Sequence, residues 1–181
     1  MSYSSSYVFP VEGLDYLMSV VPKGLTASGT IYLGLWGQDT TWATISGYAT
    51  NGQIGITLND GSYPVYEVAS FTGYTSRPAL TAGNWGAFDT TVINVSGNAT
   101  LPVAYTTYSP PIQFINQGTT VSGINGIFLV IGSDGPTVGT VSSTDCTVLW
   151  YAPFSDYSSV TLASGDSVSI TPTWQSAAFQ S

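Results

Sequence analysis

The side chains in this chain best suited to enzyme chemistry are ten Asp and Glu residues, one cysteine and many serines. The chain contains no histidine, so the most common general base and the most common metal ligand are both missing. A serine triad would therefore lack its base, and no Gly-x-Ser-x-Gly motif is present. The sequence speaks against nucleophilic catalysis, and we predict no catalytic residue, no metal and no cofactor.

The carboxylates are the remaining candidates for acid–base chemistry or for binding a hard cation. Many lie in turn-forming segments, where an Asp side chain bonds the local backbone; these are Asp60, Asp134, Asp156 and Asp166. A retaining glycosidase needs two carboxylates about 5–5.5 Å apart, an arrangement that stays open from sequence but is disfavoured. Asp39 and the Asn-Asp-Gly-Ser turn at 59–62 contain oxygen atoms that could serve as calcium ligands. No EF-hand spacing is present, so a structural turn is favoured there.

The single cysteine, Cys146, lies in an apolar run of strand character at 145–150. No His, Lys or Arg is near it in sequence to lower the pKa of its thiol. We therefore predict a buried structural thiol instead of a nucleophile. One cysteine cannot form an intrachain disulfide, which argues against a disulfide-framed secreted module.

The charge balance excludes several classes of partner. Charged residues make up 7% of the chain, against about 25% in an ordinary soluble domain. The net charge is −8, and Lys23 and Arg77 are the only cations, so nothing can neutralise a run of phosphates. The chain also lacks an apolar run of about 18 residues. We expect neither nucleic acid nor membrane as a partner.

One helix is predicted, after an extended tail at 1–10. Within 11–22 the residues Leu14, Leu17, Met18 and Val21 recur at i, i+3, i+4 and i+7 and form an apolar stripe, and a proline then ends the helix. In the favoured interpretation this helix covers an open end of the domain's own core. In the alternative it docks onto a neighbouring subunit.

Residues 23–181 are predicted to form a single β-sandwich domain. Short candidate strands recur about every 8–12 residues between turns rich in Gly, Pro, Asn and Asp, which is typical of a sandwich or barrel. These strands are 30–36, 63–71, 90–95, 112–115, 127–131, 147–151, 158–162 and 167–173. The predicted fold is all-β, a jelly-roll-like β-sandwich of about eight strands with one short N-terminal helix.

The stretch at 37–61 lacks strong strand periodicity and contains Trp42 and Tyr48. Because structureless loops of more than about 12–15 residues are usually functional or disordered, we interpret it as an arm or contact loop. Trp42 and Trp174 are the tryptophans that we expect to be exposed, whereas burial explains those in or beside apolar strands, Trp36, Trp85 and Trp150. Core packing or oligomer contact is favoured over sugar binding as their role.

Several segments form a more specific pattern. In order they are Leu-Asp-Tyr-Leu at 14–17, Ile-Tyr-Leu-Gly-Leu at 31–35, Tyr-Thr-Ser-Arg-Pro-Ala-Leu at 74–80, Trp-Gly at 85–86, the apolar strand at 111–115, Ser-Gly-Ile-Asn-Gly-Ile-Phe-Leu at 122–129, Leu-Trp-Tyr-Ala-Pro-Phe at 149–154 and Gly-Asp-Ser-Val-Ser-Ile at 165–170. This pattern of structural residues resembles small virion proteins of tailed bacteriophages. The resemblance implies a virion part of jelly-roll type, of the decoration, head-fibre or tail-fibre kind.

Composition and resemblance together suggest a function. We expect a non-enzymatic virion protein that decorates or cements the capsid as a symmetric oligomer, with a trimer favoured, and that contacts the major capsid protein or other virion proteins. Residues 1–9 lack the features of a signal peptide, so we expect assembly from the host cytoplasm. The predicted contact residues are Tyr3, Leu14, Leu17, Met18, Trp42 and Tyr48. The alternative is a tail-fibre or head-fibre module that recognises a cell-surface glycan.

Overall fold

The protein is all-β, as the sequence predicts. The computed structural model describes residues 13, 16, 20, 29–37, 67–87, 89–95, 99–133, 137–138, 146–154 and 159–177. In these parts of the chain the only helical residues are Gly13, Tyr16 and Val20 and a single 3₁₀ turn, Ala82–Asn84. No helix among the described residues is long and apolar enough to cross a membrane.

The described residues form ten strands, against about eight predicted. They are β1 Ile31–Gly37, β2 Ala79–Leu80, β3 Asp89–Val95, β4 Ala99–Thr107, β5 Ile112–Ile115, β6 Val121–Gly132, β7 Cys146–Pro153, β8 Val160–Leu162, β9 Ser167–Ile170 and β10 Thr173–Ala177. The predicted strand at 167–173 is divided at Pro172, which precedes β10, because proline cannot donate to a ladder. The described part of the predicted strand at 63–71 makes two isolated bridges, at Glu67 and Phe71, instead of a strand.

Strand β4 was not among the predicted strands. It contains Pro102, and proline in a run argues against a central strand. β4 is nevertheless the central strand of a three-stranded sheet. Its pairing with β10 ends where Val103 faces Ala177, whereas Pro102 faces Val92 of β3. Pro102 therefore lies one residue beyond the described pairing with β10, where its missing N–H removes no hydrogen bond of that pairing.

The chain divides into two compact units, Met1–Leu80 with Phe114–Val168 and Thr81–Gln113 with Ser169–Ser181. Unit 1 contains a five-stranded antiparallel sheet in the order β2-β1-β6-β7, with β8 also paired to β6. Unit 2 contains the antiparallel sheet β10-β4-β3. β5 pairs with β9, and the division between the units falls within both strands. The single domain predicted over 23–181 stays a prediction.

The centre of unit 1 is buried on both faces of its sheet. Successive residues of β1 from Leu33 to Gly37 and of β6 from Gly126 to Ile131 are all buried. Strands covered on both faces are near-continuous apolar runs and do not alternate with polar residues. This explains why the sequence shows runs such as Ile-Phe-Leu-Val-Ile here.

Two glycine–aromatic pairs fill one face of the β1–β6 ladder. Gly34 faces Phe128, and two residues along Trp36 faces Gly126, so the two Gly-x-aromatic triplets pair reciprocally. An added Cβ at Gly34 would overlap the Phe128 ring, and one at Gly126 would lie 2.5 Å from Trp36 Nε1. Trp36 Nε1 donates to the carbonyl of Ala152 at 3.1 Å. Each aromatic ring therefore occupies the space that the opposite glycine leaves open.

The predicted helix lies against β7 at Gly13. This residue is helical and buried, and an added Cβ would lie 2.8 Å from the carbonyl oxygen of Val148 and would overlap that of Leu149. Such close approach requires glycine. The contact favours the interpretation in which the helix packs on its own domain.

Candidate functional site: the buried Glu67–Tyr74–Arg77 cluster

The segment at 67–80 covers the edge of β1 that faces away from β6. Val68, near the start of the segment, donates its N–H to Leu35 O at 2.9 Å. Further along, Leu33 N donates to Pro78 O at 3.0 Å, and β2 then pairs with the first two residues of β1. An exposed strand edge invites pairing with other chains, so this segment protects β1 from such association.

A tight turn aims Tyr74 at the same edge. Phe71 and Tyr74 exchange two backbone hydrogen bonds, of 3.2 and 2.7 Å, around Thr72 and Gly73. Gly73 has φ +110°, a conformation that other residues rarely adopt. The Tyr74 ring is 1% exposed and packs edge-on against Phe114, with ring centroids 5.3 Å apart.

The Tyr74 hydroxyl replaces a backbone acceptor in the middle of this edge. It accepts the N–H of Leu35 at 3.0 Å and donates to Glu67 Oε1 at 2.5 Å. A buried N–H without a partner costs free energy comparable to a lost hydrogen bond. The phenol thus satisfies β1 where the covering segment makes no regular ladder.

Glu67 and Arg77 form a bidentate ion pair behind Tyr74. Arg77 Nε donates to Glu67 Oε1 at 2.8 Å and Nη2 donates to Oε2 at 2.7 Å, and both side chains are 0% exposed. The guanidinium carbon lies 5.4 Å from the centroid of the Phe128 ring. Paired in this way, the two charges neutralise each other and the planar fork fixes their geometry.

These groups hold one another, and the Tyr74 phenol keeps its proton at neutral pH. The pKa of Tyr74 is raised well above its usual value of 10.0, first by burial and then by the charge and hydrogen bond of Glu67. The Leu35 N–H and Arg77 act in the opposite direction and are outweighed. The phenol is therefore a fixed donor to Glu67 Oε1. Chemically, the cluster locks the segment at 67–80 onto the sheet.

We expect the unfolding free energy to fall as the pH rises above about 10, the usual tyrosine pKa. Tyr74 keeps its proton in the folded state while the unfolded chain loses it, so the unfolded state binds fewer protons and stability decreases with pH. Urea unfolding across the alkaline range measures this slope. Tyr74→Phe should reduce the slope, whereas Tyr105→Phe, which alters a partly exposed tyrosine bonded to Asp89, should reduce it less. An unchanged slope in Tyr74→Phe would contradict the assignment.

A second buried polar group, Asn116, joins two turns of unit 1. Its side chain is 0% exposed, and Nδ2 donates to the carbonyls of Thr119 and Leu162 at 2.7 and 2.9 Å. Its Oδ1 accepts the N–H of Gly118 at 2.9 Å. Asn116 therefore ties the turn after β5 to the end of β8.

Asp166 performs the turn role that the sequence predicts. Its Oδ2 accepts the N–H of Ala163 at 2.9 Å, and its carbonyl accepts the N–H of Asn116 at 2.9 Å. The prediction of turn chemistry is confirmed for this carboxylate. The other three predicted turn carboxylates, Asp60, Asp134 and Asp156, and the calcium candidate Asp39 lie outside the described residues.

The predicted contact residues Tyr3, Leu14, Leu17, Met18, Trp42 and Tyr48 also lie outside the described residues.

Cys146 is the first residue of β7. Trp36 and Trp150 are buried, as expected. Trp85, for which burial was expected, and Trp174, for which exposure was expected, are both partly buried. Trp85 packs edge-on against Tyr108, and Trp174 lies across the ladder from buried Thr106.

Sequence reasoning did not identify the Glu67–Tyr74–Arg77 cluster. The available signal was rarity: Arg77 is one of two cations, and it precedes an apolar Pro-Ala-Leu segment. Arginine is almost never fully buried unless it is paired. Its partner is ten residues away, in a stretch that local patterns assign to a strand. Among the described residues, no group of three His, Cys, Asp or Glu is placed to hold a metal ion.

Comparison with protein-family models, curated proteins and solved structures found no match to this chain. The case for function therefore comes from its own residues and from the resemblance in sequence pattern.

Proposed function

We propose that this chain is a non-enzymatic structural protein of a tailed-bacteriophage virion, which decorates or cements the capsid as a symmetric oligomer, most simply a trimer. It would contact the major capsid protein or other virion proteins and reach the particle from the host cytoplasm. The observation that carries this proposal is the buried Glu67–Arg77 pair. The chain uses its one arginine inside a lock that holds a segment over the sheet.

This use of Arg77 leaves a surface suited to neutral contacts. Arg77 is the only cation among the described residues, and it is buried. Exposed positions of the described chain are mostly Ser, Thr, Gly, Ala and Gln. Such a surface binds through hydrogen bonds and apolar area and gains little from ion pairs. Cementing needs only such area, summed over many symmetric copies.

The proposal includes a jelly-roll arrangement of the strands. Antiparallel pairs between strands distant in sequence, β1 with β6 and β4 with β10, support it. Greek-key connections in jelly rolls produce pairs of this kind.

Copy number on the particle tests the proposed function directly. Electron microscopy of particles that carry a labelled chain should show many copies spread over the shell. A few copies restricted to a vertex or to the tail would instead support a fibre module that recognises a glycan. Absence of the chain from purified particles would overturn the virion assignment.

The N-terminal stripe should be required for attachment. Changing Leu14 and Met18 together to Asp should weaken particle binding by about tenfold or more, because two carboxylates would enter an apolar contact. The control is Ala69→Asp with Thr161→Asp, which adds the same charge at two exposed positions and should bind normally. Co-sedimentation with purified particles measures binding, and circular dichroism checks folding. If the stripe variant both folds and binds, this contact assignment is wrong.

A further inference from the structure

The sheet of unit 2 brings polar side chains together on one face. Asp89 of β3 faces Tyr105 of β4, and in the next row of the same face Thr107 of β4 faces Thr173 of β10. Neighbouring strands are about 4.8 Å apart and residues i and i+2 about 6.8 Å apart. These four positions, Asp89, Tyr105, Thr107 and Thr173, therefore lie in two neighbouring rows of the sheet and are here called the polar face.

Side-chain hydrogen bonds hold this polar face in place. Tyr105 OH donates to Asp89 Oδ2 at 3.1 Å, and the hydroxyls of Thr107 and Thr173 lie 3.4 Å apart. Asp89 and Thr173 are exposed, and Tyr105 and Thr107 are partly exposed. The hydrogen bond to Asp89 raises the pKa of Tyr105, which keeps the phenol protonated. A face ordered before binding loses less entropy when it binds.

The charge of unit 2 restricts what this face can bind. Asp89 is the only Asp, Glu, Lys or Arg in Thr81–Gln113 and Ser169–Ser181. A single carboxylate without any cation repels phosphate, sulfate and sialic acid. It suits a ligand that donates hydrogen bonds without carrying negative charge. A carboxylate offers about four acceptor sites, so Asp89 can accept hydrogen bonds from a ligand while it also bonds its neighbours in the protein.

We propose that the polar face binds a neutral glycan, with Asp89 accepting sugar hydroxyls, the Tyr105 ring contacting the sugar, and Thr107 and Thr173 bonding the adjacent hydroxyls. Sugar hydroxyls both donate and accept, as do the threonine hydroxyls. Aromatic rings on a rigid element supply contact area at low entropic cost. Such a site would operate on a capsid shell as well as on a fibre, so it does not depend on the cementing role.

Titration of the purified chain with lactose, maltose and chitobiose, followed by calorimetry and by changes in NMR chemical shift, tests this site. At least one of these neutral sugars should bind and perturb Asp89 and Tyr105. 3′-Sialyllactose, which is lactose with an added carboxylate sugar, should bind no better than lactose. Failure of all three neutral sugars to bind would overturn the proposal, and tighter binding of sialyllactose would overturn the charge argument.

Variants of the same face then assign the contacts. Asp89→Asn should weaken sugar binding by about tenfold or more, since hydrogen bonds to charged groups are the strong ones. Thr173→Val keeps the shape, removes the hydroxyl and should also weaken binding. Thr161→Ala, at an exposed position of unit 1, should bind as the unaltered chain does. If Asp89→Asn and Thr173→Val both bind the sugar as tightly as the unaltered chain does, the sugar binds elsewhere. Loss of sugar binding with normal particle attachment in these variants would leave the cementing role intact.

Discussion

Replacing Arg77 with Met should lower the free energy of unfolding by about 3–5 kcal/mol, because it leaves a carboxylate buried without its partner. The Glu67 side chain is 0% exposed and accepts both guanidinium donors as well as the Tyr74 hydroxyl. Without Arg77 the carboxylate must either stay charged in an apolar site or take up a proton. Either outcome loosens the segment at 67–80 from β1.

A second variant separates the lost charge balance from lost packing. Glu67→Gln together with Arg77→Met removes both charges, so the double variant should be more stable than Arg77→Met alone. Urea unfolding measures the free energy of unfolding of both variants. Tryptophan fluorescence is a suitable signal because Trp36 forms a β-bridge with Glu67. If Arg77→Met costs less than about 1 kcal/mol, in the range of exposed ion pairs, the cluster is not the lock that we describe.

Gly34→Ala should also destabilise unit 1, by about 1–3 kcal/mol or more, because overfilling a packed core forces side chains and backbone to move. The added methyl would overlap the Phe128 ring, which is 0% exposed and lies under the Arg77 guanidinium. The ring is enclosed in the core beside the Arg77 guanidinium, so its displacement would disturb the ion pair as well.

Two controls isolate this effect. Gly83→Ala places the same methyl where no atom lies within 4 Å, so it should leave stability almost unchanged. Phe128→Leu on the Gly34→Ala background makes room for the methyl, so the two changes together should cost less than the sum of the single changes. Thermal or urea unfolding of the four variants measures the coupling. Strictly additive costs would mean that Gly34 and Phe128 do not pack as a pair.

The sequence by itself determined the fold class and much of the turn chemistry. Short apolar runs of β-branched and aromatic residues between Gly, Pro, Asn and Asp turns indicated an all-β protein, and β1, β3, β5 and β7 lie within a residue or two of their predicted places. The role of Asp166 was also predictable, since its hydrogen bond reaches only three residues along the chain. These features depend on local backbone preference, which a sequence expresses directly.

Other features were decided only by tertiary structure. β4 forms although it contains Pro102, which faces Val92 in the ladder with β3. The Gly34–Phe128 and Trp36–Gly126 pairs exist in a single register of two strands about 90 residues apart, and a shift of one residue would separate them. Arg77 is buried only because the chain folds back on β1 and brings Glu67 to it. Register and burial depend on contacts between distant segments, and neither composition nor periodicity encodes which segments will meet.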